Sequence, residues 1–166
     1  GTQALQTEDD HSYNVAVGAR ALQTLNAGAH GYNTAVGYTA GTAMTTGTQN
    51  TLIGSLVGDA LTTGANNVAI GYKALSTEGI GHGSVAVGAF ALELLNSGNT
   101  YNTAVGFSAG ATISSGVENI LIGAYAGDAL TTGHYNVAIG MRALSAEDAH
   151  GYNIAIGRDA LKVQNA

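Results

Sequence analysis

The decapeptide YNTAVGYTAG, residues 32–41, returns at residues 101–110 as YNTAVGFSAG. Its core, Asn-x-Ala-Val-Gly, recurs with small changes along the whole chain. NVAVG stands at 14–18, NTAVG at 33–37, NTLIG at 50–54, NVAIG at 67–71 and SVAVG at 84–88. NTAVG follows at 102–106, NILIG at 119–123, NVAIG at 136–140 and NIAIG at 153–157. The closing glycines lie 17 residues apart, except for one spacing of 19 and one of 18. Gly1 stands 17 residues before Gly18 and opens the same way, which makes about ten units. Self-similarity at a fixed short period marks a repeat architecture.

Three residues after each closing glycine comes a small apolar residue, Ala in every unit but the one with Val57. The next position reads Leu5, Leu22, Gly41, Gly58, Leu75, Leu92, Gly110, Gly127, Leu144, Leu161. Two leucines alternate with two glycines, so a longer period of four units overlies the short one. Glu8, Glu78 and Glu147 share that longer period, as do Asn26, Asn96 and Asn165. The opening decapeptide recurs because the chain is assembled from four-unit blocks.

A 17-residue unit is too short for a helix pair. Val, Ile and Thr flanking an alanine read as a strand, and the glycine that follows permits a turn with positive φ. A second short strand is expected at x-x-Ala-Leu/Gly, followed by a polar loop such as TTG or NAG. Stacked coils place equivalent strands about 4.8 Å apart. The fold expected over residues 1–166 is therefore all-β, a single parallel β-solenoid or β-roll. Side chains alternate along a strand, so Val15 and Val17 face one way and Ala16 the other. A strand apolar on both faces is normally covered on both. One face lines the coil and the other predicts self-association.

Asn14, Asn33, Asn50, Asn67, Asn102, Asn119, Asn136 and Asn153, with Ser84 substituting once, are expected to stack as a structural ladder. Tyr13, Tyr32, Tyr101, Tyr135 and Tyr152 each precede an anchor residue, and Tyr38, Tyr72 and Phe107 follow a closing glycine. Exposed tyrosines could bind sugars or apolar surfaces; packing between coils or at an oligomer seam is the plainer use.

Composition removes several classes. The 166 residues carry a net charge of −6, with 25 Gly and no Pro, Cys or Trp. Five scattered basic residues give no footprint for nucleic acid. No apolar run reaches the roughly 18 residues of a membrane span, so this segment is not expected to insert into a membrane. Without cysteine there is no disulfide framework. EDDH at 8–11 and EDAH at 147–150 look like metal ligands, but the units are four coils apart, about 19 Å at the strand spacing. They, with Glu78 and His82, read as polar loop residues. His30 and His134 are more scattered. GIGHG at 79–83 lacks the lysine and following helix of a phosphate loop. No nucleophile elbow or calcium nonapeptide is present. The expectation is a non-enzyme with no cofactor and no metal. A threonine array for ice is disfavoured, because Thr-x-Thr occurs only at Thr46-Gly47-Thr48.

NNVAIGYKAL at 66–75, YNVAIGMRAL at 135–144 and YNIAIGRDAL at 152–161 resemble the head repeats of trimeric autotransporter adhesins. NTAVGYTAG with TTG loops is similar to repeats of phage tail fibres. The resemblance implies a left-handed parallel β-roll, three chains around a fibre axis, in an adhesin or fibre at a bacterial surface or on a virion. Its partners would be copies of itself and a host surface or glycan receptor. The loops here are longer than in the adhesin unit, and no coiled-coil stalk or membrane anchor occurs in the sequence. The chain starts and stops in mid-coil, ending at VQNA (163–166), and shows no capping unit. This predicts a piece of a longer fibrous protein. The alternative is a filament subunit that stacks through open ends.

Overall fold

A computed structural model describes residues 1–8, 13–28, 30–98, 100–146 and 149–162. It is all-β, with nine strands of three residues each: β1 Val15–Val17, β2 Thr34–Val36, β3 Thr51–Ile53, β4 Val68–Ile70, β5 Val85–Val87, β6 Thr103–Val105, β7 Ile120–Ile122, β8 Val137–Ile139 and β9 Ile154–Ile156. They form one parallel sheet in sequence order, with the repeat as register: Ala16 pairs with Ala35, and Ala35 with Leu52. Successive strands are one coil apart, giving a β-solenoid of about eight turns.

The expected second strand is not formed. After the closing glycine the chain makes a tight turn, in which Ala21 N–H donates to Gly18 O. The second and fourth residues of this segment have positive φ, as at Arg20 (60°) and Leu22 (50°) or Lys73 (54°) and Leu75 (54°). This alternation turns backbone groups toward both neighbouring coils. Arg20 N–H donates to Thr2 O on one side, and Leu22 N–H to Ala40 O on the other. Extended φ/ψ would make the segment too long to round so narrow a coil, and the left-handed residues shorten it. Such a residue costs on the order of 1 kcal/mol when it is not glycine; inter-coil hydrogen bonds and burial of the Leu side chains hold it.

The closing glycines have a different constraint. A Cβ on Gly37 would lie 2.0 Å from the Gly54 carbonyl oxygen of the next coil. The same crowding recurs at Gly18, Gly54 and Gly71, so no side chain fits that column.

The core explains the four-coil period. The small residue three after the closing glycine is buried in every coil from Ala21 to Ala143, as is the middle residue of each strand from β2 to β9. Where the turn carries Leu, as in Leu22, Leu75, Leu92 and Leu144, the leucine fills the coil and the nearby strands carry alanine. Where it carries Gly, the strand supplies the bulk. Leu52 of β3 lies against both Gly41 and Gly58, and Leu121 of β7 against both Gly110 and Gly127. Interiors are packed to near-crystalline density, so the same volume is filled from opposite walls in alternate pairs of coils.

A third buried column stands seven residues after the closing glycine: Leu25, Met44, Leu61, Glu78, Leu95, Ile113 and Leu130. Glu78 lies in the loop between β4 and β5, as expected, but it does not face solvent; it sits in a leucine register. Its Oε1 accepts from the N–H of Gly81 (2.8 Å) and Ile80, and its Oε2 from Ser97 N–H. Burial pushes its carboxyl pKa up, and these backbone donors offset part of that. Glu8, at the equivalent place, is half-buried and accepts from Asn14 Nδ2. Glu147, His11 and Asn165 lie outside the described residues.

Candidate interaction surface

The strands turn their middle residue inward and two residues outward. Outward side chains form two parallel columns. One runs Val15, Thr34, Thr51, Val68, Val85, Thr103, Ile120, Val137, Ile154; the other runs Val17, Val36, Ile53, Ile70, Val87, Val105, Ile122, Ile139, Ile156. The second column is wholly Val and Ile. Both are open to solvent, half-buried in mid-sheet and more exposed toward β1 and β9, where Val17 is 56% and Ile156 66% accessible. Three threonines interrupt the first column and none the second, so the face is apolar and offers no two-column hydroxyl array. Thr46 and Thr48 lie in a loop, away from the sheet.

The asparagines sit just before the strands and hold this face together from within. Asn33, Asn50, Asn67, Asn102, Asn119 and Asn136 are fully buried. Each Oδ1 accepts the backbone N–H of the next rung, as from Asn50 to Asn33 and from Asn136 to Asn119. Nδ2 of Asn50 donates to Gly64 O and that of Asn119 to Gly133 O, tying the loop to the strand. Asn14 and Asn153 continue the ladder at the two ends. Ser84 breaks it: its shorter side chain meets the Thr100 hydroxyl at 2.6 Å, and its Oγ accepts Asn102 N–H at a longer 3.3 Å. Every polar atom of an ordinary rung is thus used inside the coil, and none faces a ligand.

Aromatic side chains border the sheet on both sides. Before the strands, Tyr13 and Tyr32 stack at 5.1 Å and 6°, and Tyr135 and Tyr152 at 5.0 Å and 23°. Tyr101 packs beside Gly83, whose missing Cβ leaves it room. All five of these tyrosines are exposed. They therefore pack between coils and face solvent at once. A sugar stacks on a free ring face, and stacking uses up the inner faces of each pair. The outer ring faces, edges and hydroxyls remain, but in two separate pairs at opposite ends of the sheet rather than in one continuous row.

After the strands lies a ridge that the sequence reading did not assemble. It comprises Tyr38, Leu56, Tyr72, Phe90, Phe107, Tyr125 and Met141, one from each of seven consecutive coils. The large residue alternates between the first and second position after the closing glycine. Tyr72, Phe90, Phe107 and Tyr125 meet edge to face at 5.4, 5.7 and 5.3 Å. The alternation was visible once each coil was numbered from its glycine.

The remaining polar groups are dispersed. Lys73 pairs with Glu93 at 3.5 Å, and Arg142, Arg158 and Lys162 gather on Asp159. His82 is half-buried and its Nδ1 accepts Ala65 N–H, whereas His30, His134 and His150 are exposed. Among the described residues no three His, Asp or Glu side chains converge as metal ligands, and no pocket opens. No helix is long and apolar enough to cross a membrane.

The site and fold together define a β-solenoid repeat protein whose sheet face is apolar, accessible and framed by aromatics. Comparison of the chain with protein families, with curated proteins and with solved structures gives no match.

Proposed function

We propose that this chain is a structural and adhesive segment of an extracellular fibre, a bacterial surface adhesin or a phage tail fibre. In this reading the coil is left-handed, with ten units, and three copies pack side by side around the fibre axis through their sheet faces. The observation that carries it is the outward Val/Ile column from Val17 to Ile156, regular over nine rungs and accessible to solvent. Exposed apolar patches of this extent mark interaction surfaces, and the repeat supplies the same surface at every level. The likeness of NNVAIGYKAL and its sister segments to adhesin-head and tail-fibre repeats supports the choice of three copies and of a host-facing role.

Absolute mass by light scattering on a sizing column tests it, alongside the variant Ile70→Glu. The expected result is a wild-type mass near three chains and a variant that dissociates, because a mid-column carboxylate would be buried without a partner. A monomeric wild type refutes the trimer. Long end-to-end species that Ile70→Glu leaves intact would instead assign assembly to the solenoid ends.

A further inference from the structure

We infer that the ridge Tyr38–Leu56–Tyr72–Phe90–Phe107–Tyr125–Met141 is a binding track for an extended, uncharged, β-1,4-linked polysaccharide lying along the solenoid axis. The first argument is periodicity. The large side chain swings between two positions in successive coils, so equivalent positions recur every second coil. That repeat is about 9.6 Å, twice the strand spacing. An extended β-1,4-linked glycan alternates in the same way: each sugar is flipped relative to the last, and the same face returns at a disaccharide repeat close to this length. An extended polypeptide has a two-residue repeat of about 6.6–6.8 Å and falls out of step within one turn of the ridge.

The second argument is chemistry. Sugars present apolar C–H faces rimmed by hydroxyls. The ridge sets Tyr72, Phe107 and Tyr125 out to solvent, and the half-buried Ser55 and Ser108 occupy two of the positions its zigzag leaves free; Thr39, at a third, is buried and its hydroxyl donates to Tyr38 O. Lys73 in the same row is already paired with Glu93. Rings supply apolar contact and the flanking hydroxyls supply orientation. The net charge of −6 disfavours an acidic glycan. The inference goes beyond the assembly reading and stands or falls separately from it.

The test is affinity electrophoresis of the full chain through gels containing hydroxyethylcellulose, with amylose gels as the α-linked control. Isothermal titration with cello-oligosaccharides of increasing length accompanies it. The double variant Tyr72→Ser/Phe107→Ser removes two rings and installs the residue that Ser55 already carries at that place. Circular dichroism checks that it folds. We expect retardation by the β-glucan alone and a rise in affinity once the oligomer spans two ridge repeats. The double variant should bind at least tenfold more weakly, with Tyr13→Ser/Tyr152→Ser unchanged. Equal retardation in both gels, or none in either, overturns the inference. So does a double variant whose mass falls while glycan binding is unaffected, which would make the ridge a seam between copies.

Discussion

Replacing Leu52 by alanine should create a cavity that the fold cannot close. Leu52 reaches from β3 into the space left by Gly41 and Gly58, where an added Cβ would lie 2.8 and 3.0 Å from its methyl groups. Neither glycine has a side chain to move inward. A buried Leu→Ala change costs about 2.7–5 kcal/mol, more where the site cannot collapse, so a loss of about 4 kcal/mol is expected. Gly58→Leu alone should also destabilise, by about 2–3 kcal/mol, through overpacking against Leu52. Its backbone is not the obstacle: Gly58 has φ 49°, and Leu22, Leu75 and Leu92 take φ 50–54° at the same place in their coils. The double variant L52A/G58L moves the bulk from strand to turn, as the sister coils do, and should lose only about 2 kcal/mol. The cycle then carries a coupling of about 4–5 kcal/mol, well above the roughly 0.5 kcal/mol scatter of independent sites. Urea denaturation followed by circular dichroism gives the four midpoints. Additive single effects would refute the hand-over of volume between the two walls.

Three further outcomes follow from the same geometry. Glu78, Asp59 and Asp128 all have carboxyl pKa values raised by burial. For such an acid the ionised form is penalised in the fold, so stability should rise as pH falls from neutrality toward the ordinary value, 4.5 for Glu and 3.8 for Asp, and level off below it. In Glu78→Gln the Gly81 and Ile80 bonds survive while the longer Ser97 bond is lost, because an amide nitrogen cannot accept; thermal melts should show a flatter slope across that window, and an unchanged slope would place the effect elsewhere. Asn119→Ala strands the Asn136 N–H and the Gly133 carbonyl inside the coil and should cost about 2–6 kcal/mol at 1–3 per orphaned group, whereas the exposed Asn26→Ala should be near neutral in the same melts. Gly37→Ala places a methyl on the Gly54 carbonyl and should prevent folding of the surrounding coils, seen as lost amide protection there; Gly28→Ala, with φ 63° and open space around it, should cost only about 1 kcal/mol.

The solenoid was legible because its signal is repeated: β-branched residues around Ala16 or Ala69 fix a strand, and their period fixes the parallel stacking. The asparagine ladder was legible for the same reason. The turn was not. Ala-Leu after the glycine carries no strand preference of its own, and only inter-coil bonds such as Leu22 N–H to Ala40 O reveal its left-handed residues. Glu78 was misread because polarity suggested solvent exposure, whereas counting from Gly71 puts it in line with the buried Leu61 and Leu95. Half of the ridge was legible, since Tyr38, Tyr72 and Phe107 follow a closing glycine; Leu56, Phe90 and Tyr125 stand one place later in the intervening coils and were not joined to them.

The exchange of bulk between turn and strand also governs how such a chain can change length. Deleting the single coil of residues 38–54 would remove Leu52 and Gly41 together and leave Gly58 facing the alanine of β2, with nothing to fill the gap. Deleting four consecutive coils restores every pairing of Leu with Ala and of Gly with Leu. Genes encoding this architecture should therefore lengthen and shorten in blocks of 69 or 70 residues. The recurrence of YNTAVGYTAG as YNTAVGFSAG, 69 residues later, keeps to that block length.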